Sequence, residues 1–62
     1  MALDMDGREI RVGDNVGFKD DVEQYGRVVS ISGGYVQVNV WCGETGEYEA
    51  RMVSPRRCWK ED

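Results

Sequence analysis

Few side chains in this sequence could perform chemistry, and histidine is missing altogether. Its absence from all 62 residues excludes Ser-His-Asp and Cys-His catalysis and every metal site built on imidazole. Two cysteines, Cys42 and Cys58, cannot complete a zinc site within one chain. We therefore expect no metal and no cofactor, and we interpret both cysteines as small buried apolar residues. A disulfide, or a zinc site shared between two chains, is the alternative.

Carboxylates are plentiful, but none of them forms a recognisable acid–base pair. The chain has 12 Asp and Glu against 8 Lys and Arg, which gives a formal net charge of -4. No two carboxylates share an apolar stretch of the kind that favours proton transfer. Gly33-Gly34 is not followed by the Lys and Ser or Thr of a phosphate-binding loop. A core of 62 residues leaves little room for a substrate cavity, so we expect a binding protein rather than an enzyme.

The aromatic residues indicate where binding would occur. Valines alternate with other residues between positions 35 and 41, as in a strand with one apolar face. The residues predicted to face away from the core are Tyr35, Gln37, Asn39 and Trp41. An exposed Trp with a Tyr nearby is typical of a protein-interaction site. The alternative is that the N-terminal arm or Trp59 covers this face and makes Trp41 part of a second small core.

Two charged groups flank these aromatic residues in the sequence. An acidic loop contains Asp20, Asp21 and Glu23, and it is either solvated or meets a basic partner. A weakly basic cluster near the end contains Arg51, Arg56, Arg57 and Lys60. The cluster could contact phosphates, with Trp59 stacking on a base, although the net acidic charge opposes nucleic-acid binding. Otherwise it is a solvated edge, in which Arg51 pairs across strands with Glu47 or Glu49.

Turn residues and apolar alternation predict about five short antiparallel strands. Gly26 marks a bulge or a close backbone approach, and the adjacent Val28 and Val29 indicate a bulge or burial on both faces. Gly33-Gly34 predicts a hairpin, and residues 56–59 predict a helical turn followed by a last strand. Residues 1–9 are predicted to be a loose N-terminal arm, and residues 10–62 a single domain. No stretch resembles a membrane span or a signal peptide, so we expect a cytoplasmic protein.

The pattern from Ile10 to Trp59 resembles the SH3-like barrel family, in its KOW and Tudor-like branch. It has a Gly-Asp-x-Val start, a loop, Gly-x-Val-x-x-Ile, an apolar alternation and a Pro-containing turn. The matching residues are Gly13, Asp14, Val16, Gly26, Val28, Ile31, Val36, Val38 and Pro55. The resemblance implies an all-β fold, a small five-stranded antiparallel SH3-like barrel. Aromatic residues cage methylated Lys or Arg in Tudor-like relatives, but we assign Phe18 to the core.

The resemblance also implies a binding module. In SH3-like domains the first long loop often borders the binding surface, so Asp20, Asp21 and Glu23 would form a rim that attracts a basic protein partner. We expect a non-enzymatic protein-binding module with Trp41 as its anchor, and a short acidic barrel also suits an accessory protein of a phage or mobile element. The alternative is a KOW-type nucleic-acid or ribosome-associated module that uses the basic cluster. Self-association through the aromatic face is a third hypothesis.

Overall fold

Five β-strands account for most of the chain, which the computed structural model describes from residue 2 to residue 61. The strands are β1 (Asn15–Lys19), β2 (Glu23–Ser32), β3 (Tyr35–Cys42), β4 (Glu47–Val53) and β5 (Cys58–Lys60), and a 3₁₀ turn (Pro55–Arg57) precedes β5. All paired strands are antiparallel, and their order across the sheet is β4-β3-β2-β1-β5. The predicted all-β class and the final helical turn are confirmed. No helix within residues 2–61 is long and apolar enough to cross a membrane.

The predicted five antiparallel strands are present, but they do not close into the predicted barrel, and β4 and β5 remain the two edges of an open sheet. Glu49 and Arg51 on β4 lie opposite Val40 and Val38, and thus continue the core-facing side of the sheet with charged side chains. Burying them without full compensation would be costly, so this side of β4 stays in solvent. Only Val53, at the end of β4, is buried.

The core lies on one side of the sheet and is formed mainly by β-branched residues. Its buried members are Ile10, Val16, Phe18, Val28, Val36, Val38, Val53 and Cys58. Phe18 belongs to the core as predicted, and Val40 packs against it while partly buried. Ile10 is 2% exposed although it precedes β1, whereas Val12 is 63% exposed. Ile10 therefore packs into the core from outside the five strands, whereas Val12 faces solvent.

Irregular positions in β2 adapt the sheet to this small core. The register between β2 and β3 shifts between Val28 and Ser30, which confirms the predicted bulge at the adjacent residues Val28 and Val29. Gly26 lies where β3 approaches closely, because a Cβ there would collide with the Asn39 carbonyl oxygen and lie 2.7 Å from Val38 Cγ1. Both glycines of the Gly33-Gly34 hairpin have positive φ angles, of 59° and 80°, as the turn requires.

The N-terminal segment, predicted to be a loose arm, is attached to the sheet over its described residues 2–9; Met1 lies outside them. Asp4 is 4% exposed, and its carboxylate accepts hydrogen bonds from three backbone amides. The donors are Asp6 at 3.0 Å and Arg8 at 2.7 Å to Oδ1, and Lys60 at 3.0 Å to Oδ2. The Met5 amide also donates to the Cys58 carbonyl at 2.9 Å. These contacts join the segment to β5.

Burial and hydrogen bonding act on Asp4 in opposite directions. Burial alone raises the pKa of Asp4, because it penalises the charged form. Hydrogen bonds from the backbone amides of Arg8, Lys60 and Asp6, helped by the charge of Arg8, outweigh burial and lower the pKa below its usual value. The carboxylate is thus held in its charged, hydrogen-bond-accepting form.

Candidate partner-binding surface

An aromatic row crosses the side of the sheet that faces away from the core. It consists of Trp59 on β5, Tyr25 on β2, Trp41 on β3 and Tyr48 on β4. The strand register places Trp59 and Tyr25 on either side of Gly17, and Trp41 opposite Tyr48. The pairing of Gly26 with Val40 makes Tyr25 and Trp41 neighbours across β2 and β3.

Gly17 is the residue that lets the row continue through β1. A Cβ at this position would lie 2.5 Å from Cε2 of the Trp59 indole, so the ring occupies the space that a side chain would fill. The indole meets the Tyr25 ring edge-on, with 6.3 Å between centroids and an interplanar angle of 81°. Trp41 and Tyr48 form a second edge-on pair at 5.1 Å and 69°. Such pairs hold the rings in fixed orientations while leaving surface accessible.

Three of the four side chains in the row are exposed, Trp59 is half-buried, and carboxylates accept hydrogen bonds from two of the four. Tyr25, Trp41 and Tyr48 are 51%, 56% and 66% exposed. The Tyr25 hydroxyl donates to Glu23 Oε2 at 3.0 Å, and Trp59 Nε1 donates to Glu61 Oε1 at 3.4 Å. The hydrogen bond to Glu23, followed by its negative charge, raises the pKa of Tyr25, so this side chain is a neutral donor at physiological pH.

Two shallow grooves run along the row. The first, of about 730 Å³, combines the aromatic rings with a neighbouring polar row of Asn15, Arg27 and Asn39, which face one another across β1, β2 and β3. The second, of about 560 Å³, lies between the β1–β2 loop and the β3–β4 turn. Its lining includes Val22, Glu23, Tyr25, Trp41, Glu44, Glu49 and Arg51. We call the second one the acidic groove, since carboxylates outnumber cations in its lining.

The predicted outward-facing residues of β3 lie on the expected side, but they do not form one site. Tyr35 and Trp41 are 53% and 56% exposed, while Gln37 and Asn39 are half-buried. The two aromatic residues are six positions apart along the strand, or about 20 Å. Trp41 and Asn39 line the first groove, whereas Tyr35 lines an opening of about 460 Å³ between β4 and the end of β1. The alternative that the N-terminal arm or Trp59 covers this face and makes Trp41 part of a second small core is wrong, because Trp41 is exposed and Trp59 packs against Tyr25.

The three carboxylates of the predicted acidic loop likewise do not lie at one site. Glu23 is the first residue of β2 and borders Trp41 in the acidic groove. Asp20 lies with Tyr35 at the opening beside β4, and Asp21 is exposed between β1 and β2. The structure therefore brings only one carboxylate of the predicted rim to the groove that Trp41 lines. It adds Glu44 from the β3–β4 turn and Glu49 from the core-facing side of β4.

The basic cluster predicted as the alternative site consists of Arg51, Arg56, Arg57 and Lys60. Arg51 Nη2 lies 3.5 Å from Glu49 Oε2 on the same strand, so the predicted cross-strand pair is instead formed along β4. Lys60 Nζ lies 3.2 Å from Asp14 Oδ2 and is 22% exposed. Arg57 donates to the carbonyl that ends β1 at 3.2 Å, and Arg56 is exposed. Arg51 and Arg57 both line the opening beside β4, whereas Lys60 lies on the opposite edge strand, so the four cations do not form one patch.

Both cysteines are free thiols. Cys58 is fully buried, in agreement with its predicted role as a small apolar residue, and burial raises its pKa. Cys42 is half-buried at the start of the β3–β4 turn. The Thr45 hydroxyl, followed by the backbone amides of Thr45 and Glu44, donates hydrogen bonds that lower the pKa of Cys42. Within residues 2–61, no three His, Cys, Asp or Glu side chains are grouped as a metal site.

Several residues of the surface were missed in the sequence because they come together only through strand pairing. Tyr48 and Glu49 lie in a strand whose function the sequence left open, and Glu44 lies in a turn. The signal available was the alternation of Tyr48 with Glu47 and Glu49, combined with the register that a four-residue turn would impose.

Comparison with known proteins adds no relative from which a function could be transferred. The chain matches no protein-family model, and no curated protein or solved structure is significantly similar to it. Its function is therefore inferred from the geometry of the aromatic row and the acidic groove.

Proposed function

We propose that this chain is a non-enzymatic SH3-like domain that binds a basic segment of another protein in the acidic groove. The strand order β4-β3-β2-β1-β5 and the 3₁₀ turn beginning at Pro55 support the SH3-like assignment. The domain would act as an open sheet, with the β1–β2 loop and the β3–β4 turn forming the walls of the groove.

The observation that carries the proposal is the combination of exposed rings and carboxylates in the acidic groove. Tyr25 and Trp41 are both more than half exposed there. Glu23 and Glu44 belong to the same lining. Glu49 lines the groove from the core-facing side of β4, where it is paired with the single arginine of the lining, Arg51. An arginine or lysine from a partner would meet both aromatic faces and negative charge, and each of these attracts a cation.

The aromatic rings and the carboxylates would contribute to binding in different ways. Trp41 would supply most of the affinity, because burying a large aromatic side chain at the centre of an interface is worth about 2 kcal/mol or more. The carboxylates would accelerate the encounter and select for positive charge, with an effect that weakens as salt concentration rises. The edge-on contact with Tyr48 holds the Trp41 ring in place before the partner arrives, which reduces the entropy cost of binding.

The proposal is tested with peptides of equal length and hydrophobicity that differ only in net charge. Binding is followed by backbone amide shifts in NMR titrations, and the affinity is measured in low and physiological salt. We expect basic peptides to shift the Trp41 indole signal and the amides of the β3–β4 turn. Trp41→Ala should weaken binding by at least about tenfold.

Tyr35→Ala provides the matched control, since Tyr35 is on the same strand with similar exposure but lines a different opening. It should leave the affinity unchanged. Equal binding of acidic and basic peptides, or an equal loss in both variants, would refute the acidic groove as the site. Binding to single-stranded RNA that exceeds binding to every peptide would favour the nucleic-acid alternative.

A further inference from the structure

β4 is an edge strand, and one of its two backbone edges is not paired with another strand among the described residues. Among the described residues it pairs only with β3, and its residues from Glu47 to Met52 are exposed. The opening of about 460 Å³ separates it from the end of β1, so no other segment covers this edge. An exposed edge presents unpaired N–H and C=O groups that can accept another strand.

The side chains of β4 are arranged symmetrically about Ala50. Glu49 and Arg51 flank it on one side of the strand, and Tyr48 and Met52 flank it on the other. In an antiparallel pair of two identical strands centred on Ala50, Glu49 of each copy lies opposite Arg51 of the other. Tyr48 of each copy then lies opposite Met52 of the other, an aromatic–thioether contact. The strand is therefore complementary to itself in charge and in apolar contact.

Neighbouring registers lack this complementarity. Centring the pair on Glu49 or on Arg51 places two like charges directly opposite each other, which is destabilising. Centring it on Tyr48 places Glu47 opposite Glu49 in both halves of the pair. The register centred on Glu49 also pairs Glu47 with Arg51, but only the register centred on Ala50 matches opposite charges on both sides of the axis without placing like charges opposite each other.

We propose that β4 pairs with β4 of a second copy of this chain, antiparallel and centred on Ala50, so that two five-stranded sheets join edge to edge. The contact is isologous, as expected for a two-fold dimer. It uses the backbone edge of β4 and shares only Glu49 and Arg51 with the lining of the acidic groove, so it goes beyond the proposed binding of a basic segment. It would also place Tyr48 beside Met52 of the second copy, on the side of the sheet that carries the aromatic row. A contact limited to one short strand from each copy falls in the class of small, transient interfaces.

The test is sedimentation velocity on the full chain from about 10 µM to about 1 mM, the range in which a small interface would dissociate. We expect the parent chain to pass from monomer to dimer across this range. Glu49→Arg places the new cation opposite Arg51 of the second copy, and Arg51→Glu places the new carboxylate opposite Glu49. Each change occurs twice in a symmetric dimer, so each should weaken it by about tenfold or more.

Combining the changes gives the outcome that only this register predicts. The double variant Glu49→Arg/Arg51→Glu restores opposite charges in both pairs and should dimerise like the parent. An equimolar mixture of the two single variants should form a heterodimer, because one chain then offers two cations and the other two carboxylates. Circular dichroism spectra identical to that of the parent would establish that the variants fold.

Three results would overturn the proposal: a parent that stays monomeric at the highest concentration, single variants that dimerise as well as the parent, or a mixture that remains monomeric. The assay contains no peptide partner, so its outcome is independent of the acidic groove. If Trp41→Ala abolishes peptide binding but leaves the monomer–dimer equilibrium unchanged, the two sites are separate.

Discussion

Asp4→Asn is the substitution that best tests how the N-terminal segment is held on the sheet. The new amide oxygen can replace Oδ1 as the acceptor for the Asp6 and Arg8 amides. The new amide nitrogen, however, takes the position of Oδ2, where it meets the donating amide of Lys60. Two donors then face each other at a buried site, and the link to β5 is lost.

The magnitude follows from the hydrogen bonds affected. Losing a hydrogen bond to a charged group and leaving the Lys60 amide unsatisfied costs about 2 kcal/mol, and two weakened bonds add to this. We therefore expect Asp4→Asn to lower the free energy of unfolding by about 2–3 kcal/mol. A chain of this size has only about 3–9 kcal/mol in total, so the melting temperature should fall by about 10 °C or more. Asp6→Asn is the control, because it makes the same chemical change on an exposed side chain.

The loss of stability in Asp4→Asn should depend on pH. The pKa of Asp4 is lowered in the folded chain, so the stabilisation is fully present above the usual value of 3.8 and is lost as the pH falls through the lower folded value. Urea denaturation from pH 7 to about pH 3 should show a constant difference between the parent and Asp4→Asn that shrinks only in acid. A difference below about 0.5 kcal/mol at pH 7, or a difference that grows in acid, would refute the assigned role of Asp4.

Two further predictions concern packing and thiol chemistry. Gly26→Ala should destabilise the chain by about 2–3 kcal/mol in urea denaturation, because its Cβ would collide with the β3 backbone. Gly43→Ala is the control and should be nearly neutral, since a Cβ there meets nothing within 4 Å. Equal effects of the two substitutions would contradict the close approach of β3 to Gly26. A thiol reagent should modify Cys42 in the folded chain and Cys58 only on unfolding, and equal modification rates for both thiols would contradict this difference in burial. Thr45→Val should raise the pKa of Cys42, as measured from the pH dependence of its modification rate.

Local signals in the sequence were sufficient to predict most of the strands. The Gly33-Gly34 hairpin could be recognised because two adjacent residues must adopt positive φ, and few residues other than glycine do so readily. The adjacent Val28 and Val29 break the alternation of β2, and the bulge lies at that point. Phe18 was assigned to the core from its alternation with polar neighbours, and it is 3% exposed.

Long-range features could not be predicted in the same way. Asp4 looked like one more surface carboxylate, since its donors include an amide 56 residues away. Closure of the sheet depends on whether two strands meet, and the local alternation of β4 was compatible with either an open or a closed edge. The charged residues Glu49 and Arg51 became decisive only when the register placed them on the core-facing side.

The sequence by itself therefore determined most of the elements of this protein and excluded chemistry that depends on histidine. Alternation and turn residues act between neighbours in the chain, so they are readable from the sequence, and the absence of histidine is a matter of composition. Only the tertiary structure decided which side chains form a surface. Pairing of β2 with β3 and of β3 with β4 brings Tyr25, Trp41 and Tyr48 into one row and moves Tyr35 away from it. The reason is geometric, because strand register fixes lateral neighbours that sequence distance does not encode.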